Sequence, residues 1–451
     1  SFAISVLRPQ STGIGGGGFL LYHAAAKSDV QVYDFRERAP KAASRDMYLD
    51  NEGNPKDFMY EGKAVKNASV NGHLAVGTPG LIAGLHKFHQ EHGKLPWQKV
   101  VMPAINLAAK GFAVYKSLAK SLEYRAEICS RFPATQEIFY PNGKPLTMAD
   151  TLVQRDLANT LALVAERGAE GFYKGPTARA LLAEMRRGGG LITKADLEGY
   201  QVKMREPVRG LYRNHKIVSM PPPSSGGIHI VQMLNMLANT DYQILGHNTA
   251  ESVHVLAEIM RRAFADRAKY LGDPDFVKVP TKGLTSPKYA VELFKTIDTE
   301  KASSSDVVGA GNPVPHESPS TTHLSVVDAE GNAVSSTQTV NYSMGSCVVA
   351  KDTGVVLNNE MDDFSKKPGV PNAYGLVGSE ANAIAPEKTM LSSMSPTIVL
   401  DKDNKVKLVV GSPGGPRIIN ATLQTIINVV DFRMSLPDAV HAHRIHHQWL
   451  P

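Results

Sequence analysis

Thr321 is the residue of this sequence whose type and setting could perform catalysis. It follows a polar, proline-containing stretch, residues 311–320, and begins a run with strand character, residues 321–328. If the peptide bond between Ser320 and Thr321 is cut, the threonine gains an α-amine and carries a nucleophile and a base on one residue. On this local pattern alone, a threonine that simply begins a strand is the more common situation, so other residues must decide.

Two adjacent glycines could stabilise negative charge in such a reaction. Gly414 and Gly415 follow a predicted strand, residues 407–410, and precede a predicted helix, residues 421–430. Backbone N–H groups in a loop of this kind can point at an oxygen that develops negative charge. Taken alone, the loop is better interpreted as an ordinary connection between a strand and a helix.

Charged and hydroxyl residues beside predicted strands could bind a substrate. Arg36 ends a strand at residues 30–35, where an arginine is usually solvated but can also bind a carboxylate through two parallel hydrogen bonds. Polar loops at residues 358–363 and 391–396 also lie beside strands. Because loops in such positions often hold substrates, these three segments are candidate binding elements.

The sequence gives little support for a metal or nucleotide site. The glycines at residues 15–18 match neither the dinucleotide-binding spacing nor the P-loop, so a tight turn beneath a substrate is the better interpretation. The acidic cluster at residues 358–363 has no histidine partners, and the histidines at residues 441–447 fit no zinc spacing. We therefore expect neither a metal nor a cofactor.

The composition is typical of a soluble globular protein and is long enough for more than one domain. The chain has 451 residues, 42% hydrophobic and 20% charged, with a net charge of +6. The basic residues are scattered rather than interleaved with aromatic residues, so nucleic acid is not an expected partner. No apolar run is long enough to span a membrane. Cys129 and Cys347 allow at most one disulfide and form no Cys-x-x-Cys pair.

Strands and helices alternate along the chain in a way that predicts a layered α/β sandwich. Residues 75–270 are predicted to be mostly helical, with Thr249 as the cap of one helix, and residues 299–320 form a linker. The strands are predicted at residues 19–22, 30–35, 324–327, 333–340, 396–400 and 407–410. Residues 421–430 return to helix.

Taken together and in this order, the motifs resemble the gamma-glutamyltransferase (gamma-glutamyltranspeptidase) family of the N-terminal nucleophile hydrolase superfamily. The similarity runs through nearly the whole chain. The matching segments are residues 15–19, 35–40, 75–80, 220–227, 321–323, 358–364, 391–396 and 411–415. So many ordered matches are far more specific than any single motif.

The resemblance implies a four-layer αββα sandwich and a precursor that cuts itself between Ser320 and Thr321. The products would be a large-subunit part, residues 1–320, and a small-subunit part, residues 321–451, which stay together as one intertwined unit. Relative to the family, we expect the chain to lack an N-terminal and a C-terminal stretch. The resemblance to bacterial members also implies a periplasmic or secreted enzyme.

The catalytic roles follow from the resemblance position by position. Thr321 would attack the γ-amide carbon of glutathione or another γ-glutamyl compound, with its own α-amine as the base. Gly414 and Gly415 would stabilise the oxyanion. Thr339 would support the nucleophile, with Thr337 nearby. The γ-glutamyl group would then pass to water, to an amino acid or to a dipeptide.

The implied substrate site has two halves and a gate. The α-carboxylate of the glutamyl group would bind Arg36, Ser392 and Ser393. The α-ammonium would bind Asn341, Glu360 and Asp363. Tyr374, in a loop at residues 368–375 that resembles the lid of Gram-negative members, would be the gate. Glu360 replaces the glutamine that many bacterial relatives carry, so the substrate preference could differ.

Two other functions remain as alternatives. A cephalosporin or glutaryl acylase of the same superfamily would bind a glutaryl group that lacks the α-amine, and Glu360 with Asp363 argues against it because the two carboxylates would then face no cation. A catalytically inactive binding relative is disfavoured by the intact Thr321 and by the paired glycines.

Overall fold

The computed structural model describes residues 1–27, 29–308 and 321–450. This part of the chain is 41% helical and 17% strand, which is a mixed α/β composition. The predicted linker is described only up to a short helix, Ser305–Val308, and residues 309–320, including Ser320, lie outside the described residues.

The strands alternate with long helical stretches in the first three fifths of the chain and dominate after residue 321. In chain order the strands are β1 (Gly17–Ala24), β2 (Asp29–Phe35), β3 (Phe58–Tyr60), β4 (Lys63–Val65), β5 (Phe112–Ala113), β6 (Thr151–Leu152), β7 (Lys203–Arg205), β8 (Val208–Tyr212), β9 (His215–Ser219), β10 (Thr322–Val327), β11 (Ala333–Thr339), β12 (Val349–Ala350), β13 (Val355–Val356), β14 (Thr397–Leu400) and β15 (Val406–Val410).

The helices fall into two groups that cover opposite sides of the sheets. In chain order they are α1 (Phe2–Leu7), α2 (Leu81–His92), α3 (Trp97–Lys110), α4 (Lys116–Cys129), α5 (Pro133–Phe139), α6 (Arg155–Arg167), α7 (Glu170–Tyr173), α8 (Gly175–Gly188), α9 (Lys194–Glu198), α10 (Gly226–Leu237), α11 (Tyr242–Leu245), α12 (Ala250–Tyr270), α13 (Thr281–Leu284), α14 (Pro287–Phe294), α15 (Ser305–Val308), α16 (Arg417–Val430) and α17 (Leu436–His441).

Two antiparallel sheets form the centre of the molecule. The first has the order β10-β11-β1-β2-β7, and the second has the order β15-β14-β9-β8. Strand β11 therefore lies between its sequence neighbour β10 and the distant β1, and the predicted hairpin of β10 and β11 is confirmed. The predicted strands of the second sheet, β14 and β15, also pair directly.

The alternation of side chains along the strands explains the layers. Phe19 and Leu21 of β1 pack with Ile398 and Leu400 of β14 in a core between the two sheets. Leu20, which points the other way, packs with α2 and its neighbours, and Val399 packs with α10, α12, α14 and α16. Each sheet is thus covered by helices on its outer face and by the other sheet on its inner face. The predicted four-layer αββα architecture is confirmed.

The sequence prediction was incomplete at residues 203–219. This part of the region predicted as mostly helical contains β7, β8 and β9. Strands β8 and β9 are joined by a two-residue turn in which Arg213 and Asn214 both have positive φ (45° and 64°). Such a turn fits the twist of a hairpin, and β9 pairs on its other side with β14, far away in sequence.

Other local predictions are confirmed with small shifts of boundary. The Thr249 side chain caps α12 by accepting a hydrogen bond from the Ser252 N–H group. Helix α16 begins at Arg417, four residues before the predicted start. Cys129, at the end of α4, and Cys347 form a disulfide. None of the described helices combines the length and the apolar character needed to cross a membrane.

Candidate active site

Thr321 lies immediately before β10 and is buried, with 5% of its surface exposed. The register of the hairpin pairs Thr322 with Gln338, which places Thr321 opposite Thr339. Their hydroxyl oxygens are 3.5 Å apart. Because the Thr339 oxygen already accepts a hydrogen bond from the Asn341 N–H group (2.8 Å), its own proton can be directed at the Thr321 oxygen.

The glycine-rich turn before β1 supports Thr339 from the other side. A Cβ atom on Gly16 would lie 1.9 Å from the Thr339 carbonyl oxygen, so only glycine fits here. The Gly16 carbonyl accepts hydrogen bonds from the N–H groups of Gly80 and Leu81. The predicted tight turn is therefore packed against the protein backbone at Thr339, and its position beneath a substrate stays a prediction.

Gly414 and Gly415 lie in the loop between β15 and α16, and both have positive φ (129° and 55°). A Cβ atom on Gly415 would approach the Tyr374 ring to 2.7 Å. Among the described residues, neither glycine N–H group donates a hydrogen bond to a protein acceptor. Unpaired N–H groups beside a nucleophile are what an oxyanion site requires.

His323 fixes this loop against the strand that carries Thr321. A Cβ atom on Gly411 would lie 2.3 Å from the His323 ring, so the loop packs closely against this side chain. The His323 Nδ1 atom is 2.8 Å from the Thr337 hydroxyl oxygen. Burial lowers the pKa of His323 to about 4, so the ring is neutral. Thr337 therefore acts through His323 on the position of the loop.

Arg36 lies at the centre of a buried ion-pair cluster at the end of β2. Its guanidinium group binds Glu360, lies 2.6 Å from an Asp363 carboxylate oxygen and lies 3.6 Å from Glu37. Glu360 and Asp363 come from a single short 3₁₀ helix, Glu360–Asp363. The cluster joins Arg36 to two residues that lie more than 300 positions away in the sequence.

Burial dominates the protonation of this cluster. It raises the pKa of Asp363 to about 6 and that of Glu37 to about 7, in spite of the nearby Arg36 charge, and it raises the pKa of Glu360 as well. Burial alone would lower the pKa of Arg36, but Glu360 and Asp363 raise it overall, so the guanidinium stays charged. The cluster therefore has ionisable carboxylates poised near neutral pH.

Tyr374 closes one side of the cluster through Asn341. The Tyr374 hydroxyl donates to the Asn341 side-chain oxygen (2.6 Å), and the Asn341 side-chain nitrogen lies 3.5 Å from Asp363. The Tyr374 ring stacks on Tyr342, with 4.5 Å between ring centroids. Asn341 has a positive φ of 72°, which turns the chain at the end of β11 so that its amide points into the site.

Ser392 and Ser393 lie in a loop that is held by the segment at residues 221–227. The Ser392 N–H group donates to the Pro223 carbonyl (2.8 Å), and the Ser225 N–H group donates to the Ser392 carbonyl (2.9 Å). The Ser392 hydroxyl oxygen accepts from the Met394 N–H group (3.0 Å). These bonds set both hydroxyl groups at the edge of the cavity.

Arg267, near the end of α12, was missed by the sequence prediction. Its guanidinium donates to the hydroxyl oxygens of Ser225 (3.0 Å) and Ser393 (3.3 Å). Within the described ranges no carboxylate lies within 4 Å of it. Burial lowers the pKa of Arg267 to about 10. The helix pattern does contain a signal for Arg267. This residue continues the buried stripe of Met260 and Phe264, where a solvated arginine is not expected.

These side chains surround one narrow cavity, with a volume of about 20 Å³. It is lined by Arg36, Arg267, Thr321, Thr339, Asn341, Glu360, Asp363, Tyr374, Leu376, Leu391, Ser392, Ser393, Met394, Gly415 and Ile418. Gly414 lies on a neighbouring cavity that also contains Thr321. The structure thus brings together the predicted site residues that it describes, and Ser320 lies outside them.

No metal site accompanies this arrangement in the part of the chain that the structure describes. There, no three histidine, cysteine, aspartate or glutamate side chains are grouped to hold a metal ion. The acidic residues beside the cavity are instead engaged by arginine and lysine side chains, for example Asp362 by Lys366 at 2.8 Å.

Comparisons with known proteins show which family this chain is similar to. A family model described as gamma-glutamyltranspeptidase matches residues 1–451. The chain is 48% identical to the glutathione hydrolase proenzyme of Escherichia coli (strain K12), over 100% of this chain and 76% of the relative.

Two solved structures are similar in fold. One is the gamma-glutamyltranspeptidase of Helicobacter pylori, at 39% identity and a TM-score of 0.63, covering 67% of this chain and 84% of that chain. The other is the cephalosporin acylase of Bacillus halodurans, at 26% identity and a TM-score of 0.81, covering 96% and 75%.

Proposed function

Because the chain belongs to the gamma-glutamyltranspeptidase family and is a glutathione hydrolase made as a self-cleaving precursor, we propose that Thr321 is the residue that performs both the cleavage and the hydrolysis. The observation that supports this most directly is that Thr321 shares one buried cavity with Thr339, Gly415 and the Arg36 cluster. A nucleophile, a supporting hydroxyl, N–H donors and a charged binding site are the parts that acyl transfer needs.

Maturation starts with attack of the Thr321 hydroxyl on the carbonyl carbon of Ser320. The C–N bond breaks, the proton of the hydroxyl passes to the new α-amine, and an ester joins the two residues. Water then hydrolyses the ester, which releases residues 1–320 with a carboxylate end and residues 321–451 with Thr321 as N-terminus. The Thr339 hydroxyl, 3.5 Å from the Thr321 oxygen, supports the attacking atom.

Hydrolysis of glutathione repeats this chemistry on an external amide. The Thr321 oxygen attacks the γ-amide carbon, its α-amine takes the proton, and the N–H groups of Gly414 and Gly415 stabilise the oxyanion. The α-ammonium that results returns the proton to the departing amine of cysteinylglycine. The γ-glutamyl ester that remains is transferred to water, or to an amino acid or dipeptide acceptor.

Recognition of the glutamyl end uses the charges of the Arg36 cluster. The substrate carries an α-carboxylate and an α-ammonium, and the cluster presents a guanidinium and carboxylates 2.6 Å apart. The α-carboxylate replaces the carboxylates at Arg36, with Ser392 and Ser393 as further donors. The α-ammonium binds Asp363, Glu360 and Asn341. The substrate zwitterion thus substitutes for an internal ion pair, and Tyr374 covers it.

The experiment that tests this proposal measures the intact mass and the glutathione hydrolysis of the wild-type protein and of Thr321→Ala. We expect two fragments that meet at Ser320/Thr321 and active enzyme for the wild type, and one inactive, uncut chain for the variant. Thr322→Ala is the matched control, because Thr322 is as buried as Thr321 and its hydroxyl has no partner among the described residues. A Thr321→Ala protein that is cut and active would rule out the assignment.

An acylase that accepts a glutaryl group is the second candidate, since the cephalosporin acylase fold covers most of this chain. The Glu360 and Asp363 carboxylates favour the γ-glutamyl substrate, because they give an α-ammonium its counter-charge. Parallel assays with γ-glutamyl and glutaryl anilides separate the two. Preference for the glutaryl compound would overturn the binding roles assigned to Glu360 and Asp363.

A periplasmic or secreted location fits the disulfide of Cys129 and Cys347, because disulfides persist in oxidising compartments. Fractionation of the producing cells tests it. We expect the protein in the periplasm or the medium, and recovery in the cytoplasm alone would contradict the proposed location.

A further inference from the structure

The disulfide lies across the proposed cleavage site in the sequence. Cys129 belongs to residues 1–320 and Cys347 to residues 321–451, with 218 positions between them. We propose that this bond joins the two chains of the mature enzyme covalently after the peptide bond at Ser320/Thr321 is cut, an inference that rests on the proposed self-cleavage. The 451-residue sequence contains only these two cysteines, so within it no other disulfide between the two parts is possible.

Contacts on both sides of the disulfide show that the two segments are fitted to each other. Cys347 lies in the loop between β11 and β12 and has a positive φ of 66°. The Thr135 hydroxyl of α5 donates to the Cys347 carbonyl (2.8 Å) and accepts from the Val349 N–H group (2.9 Å). Arg125, one turn before Cys129 on α4, donates to the Gly345 carbonyl (3.4 Å). Helices α4 and α5 thus hold the loop on both sides of the sulfur atoms.

The same loop also carries part of the candidate substrate site. It begins after Thr339 and includes Asn341, which binds Tyr374 and lies beside Asp363. Met344 and Gly345 have positive φ as well (63° and 52°), so the loop needs outside contacts to keep its shape. The disulfide fixes its far end to the other chain.

A cut molecule benefits from a cross-link in a way that an uncut one does not. Strands β11 and β14 of the second part pair with β1 and β9 of the first, so the two parts hold together without covalent help while folded. Once unfolded, separate chains diffuse apart, and refolding depends on their concentration. A disulfide keeps them at a high effective concentration. It therefore replaces the peptide bond that maturation removes.

Formation of the bond requires a disulfide oxidant of the kind present in exporting compartments. Two thiols lose two protons and two electrons, the oxidant is reduced to two thiols, and the exchange passes through a mixed disulfide. In the folded protein the half-cystines are 0% and 1% exposed. This burial matters because glutathione, the substrate, is itself a thiol that reduces accessible disulfides. The cross-link is shielded from the substrate of its own enzyme.

Electrophoresis of the mature full-length enzyme tests the inference. The protein is denatured in N-ethylmaleimide, which blocks thiol exchange, and is run with and without dithiothreitol. We expect two bands with the reductant and one band, with the mass of both chains together, without it. Two bands under both conditions would overturn the cross-link while leaving the cleavage intact. One band under both conditions would refute the cleavage and, with it, the cross-link between chains.

A set of four proteins separates the cross-link from ordinary stabilisation. These are the wild type, Cys129→Ala/Cys347→Ala, Thr321→Ala and the triple variant. In the cut protein, loss of the disulfide should lower the thermal midpoint by several degrees. The midpoint should also fall as the protein is diluted, because the two chains separate on unfolding. In the uncut Thr321→Ala background the midpoint should not depend on concentration. If the midpoint of the disulfide-free protein depended on concentration in the same way in the cut and the uncut background, the inference would be contradicted.

Discussion

The hydroxyl oxygens of Thr321 and Thr339 lie 3.5 Å apart because the register of β10 and β11 sets the two residues opposite each other. Their separation is thus determined by the sheet rather than by a flexible loop. A single hydrogen bond, from the Asn341 N–H group to the Thr339 oxygen, orients the second hydroxyl towards the first. The nucleophile is therefore supported by backbone geometry, which favours a fixed attack direction.

Removal of the Thr339 hydroxyl should slow both reactions of Thr321. For Thr339→Val we expect slower self-cleavage and a fall in kcat of roughly 10–100-fold, the value of one good hydrogen bond to a reacting group. Thr339→Ser keeps the hydroxyl and should retain most of the activity. Time courses of fragment formation and of glutathione hydrolysis measure the two effects. If Thr339→Val matured and turned over like the wild type, the hydroxyl would have no role.

Substitution of Gly415 should reduce turnover more than substrate affinity. For Gly415→Ala we expect kcat to fall by about 10²–10³-fold, because the added Cβ atom displaces the Tyr374 ring and an oxyanion donor is misplaced. Gly143→Ala is a control for backbone strain, since Gly143 also has a positive φ (74°) but has nothing within 4 Å of the added atom. Steady-state kinetics decide the matter, and a change confined to KM would argue against the oxyanion role.

Arg267 should influence substrate binding through Ser393. For Arg267→Met we expect KM to rise by roughly 10-fold or more with a smaller change in kcat, because the buried charge that orients Ser393 and attracts the α-carboxylate is lost. Arg267→Lys keeps the charge and should recover part of the affinity. Both variants need a melting curve, so that loss of folding is not mistaken for loss of binding. An unchanged KM in a folded Arg267→Met protein would show that Arg267 does not contribute to substrate binding.

The pKa of Asp363, which burial raises to about 6, predicts a pH dependence of substrate capture. Below that pKa the carboxyl group is protonated and cannot form an ion pair with the α-ammonium. The ratio kcat/KM should therefore be at its maximum above the pKa of Asp363 and should fall as the pH is lowered through that pKa. Profiles of kcat/KM for the wild type and Asp363→Asn provide the measurement. Persistence of the same inflection in Asp363→Asn would assign it to another group.

Local signals in the sequence were sufficient for much of the fold. The β10–β11 hairpin, the Thr249 cap and the strand at residues 30–35 depend on neighbours in sequence, so pattern and composition predict them. Strands β7 and β9 could not be predicted in this way. Both are short, β7 pairs only with the distant β2 among the described strands, and β9 pairs with the distant β14 as well as with its neighbour β8.

The site residues also divide into those that the sequence indicates and those that only the fold brings to light. Thr321, Gly414 and Gly415 stand out in the sequence once the ordered motifs are taken together, although on its local pattern alone each has a more ordinary interpretation. Arg267 does not, because its role depends on α12 packing beneath Ser393, which is a tertiary contact. The ion pairs of Arg36 with Glu360 and Asp363 likewise needed the fold, since no spacing rule relates residues so far apart.

Strand β11 lies between β10 and β1, and β14 lies between β15 and β9. Under the proposed cut, each of these two central sheets contains strands from both products, and neither product contains either of them in full. Two separately synthesised halves would therefore each expose unpaired strand edges and would aggregate before they met. The interleaving sets an order of events in the life of the molecule: the polypeptide must fold first as one piece, and only the finished fold can be divided.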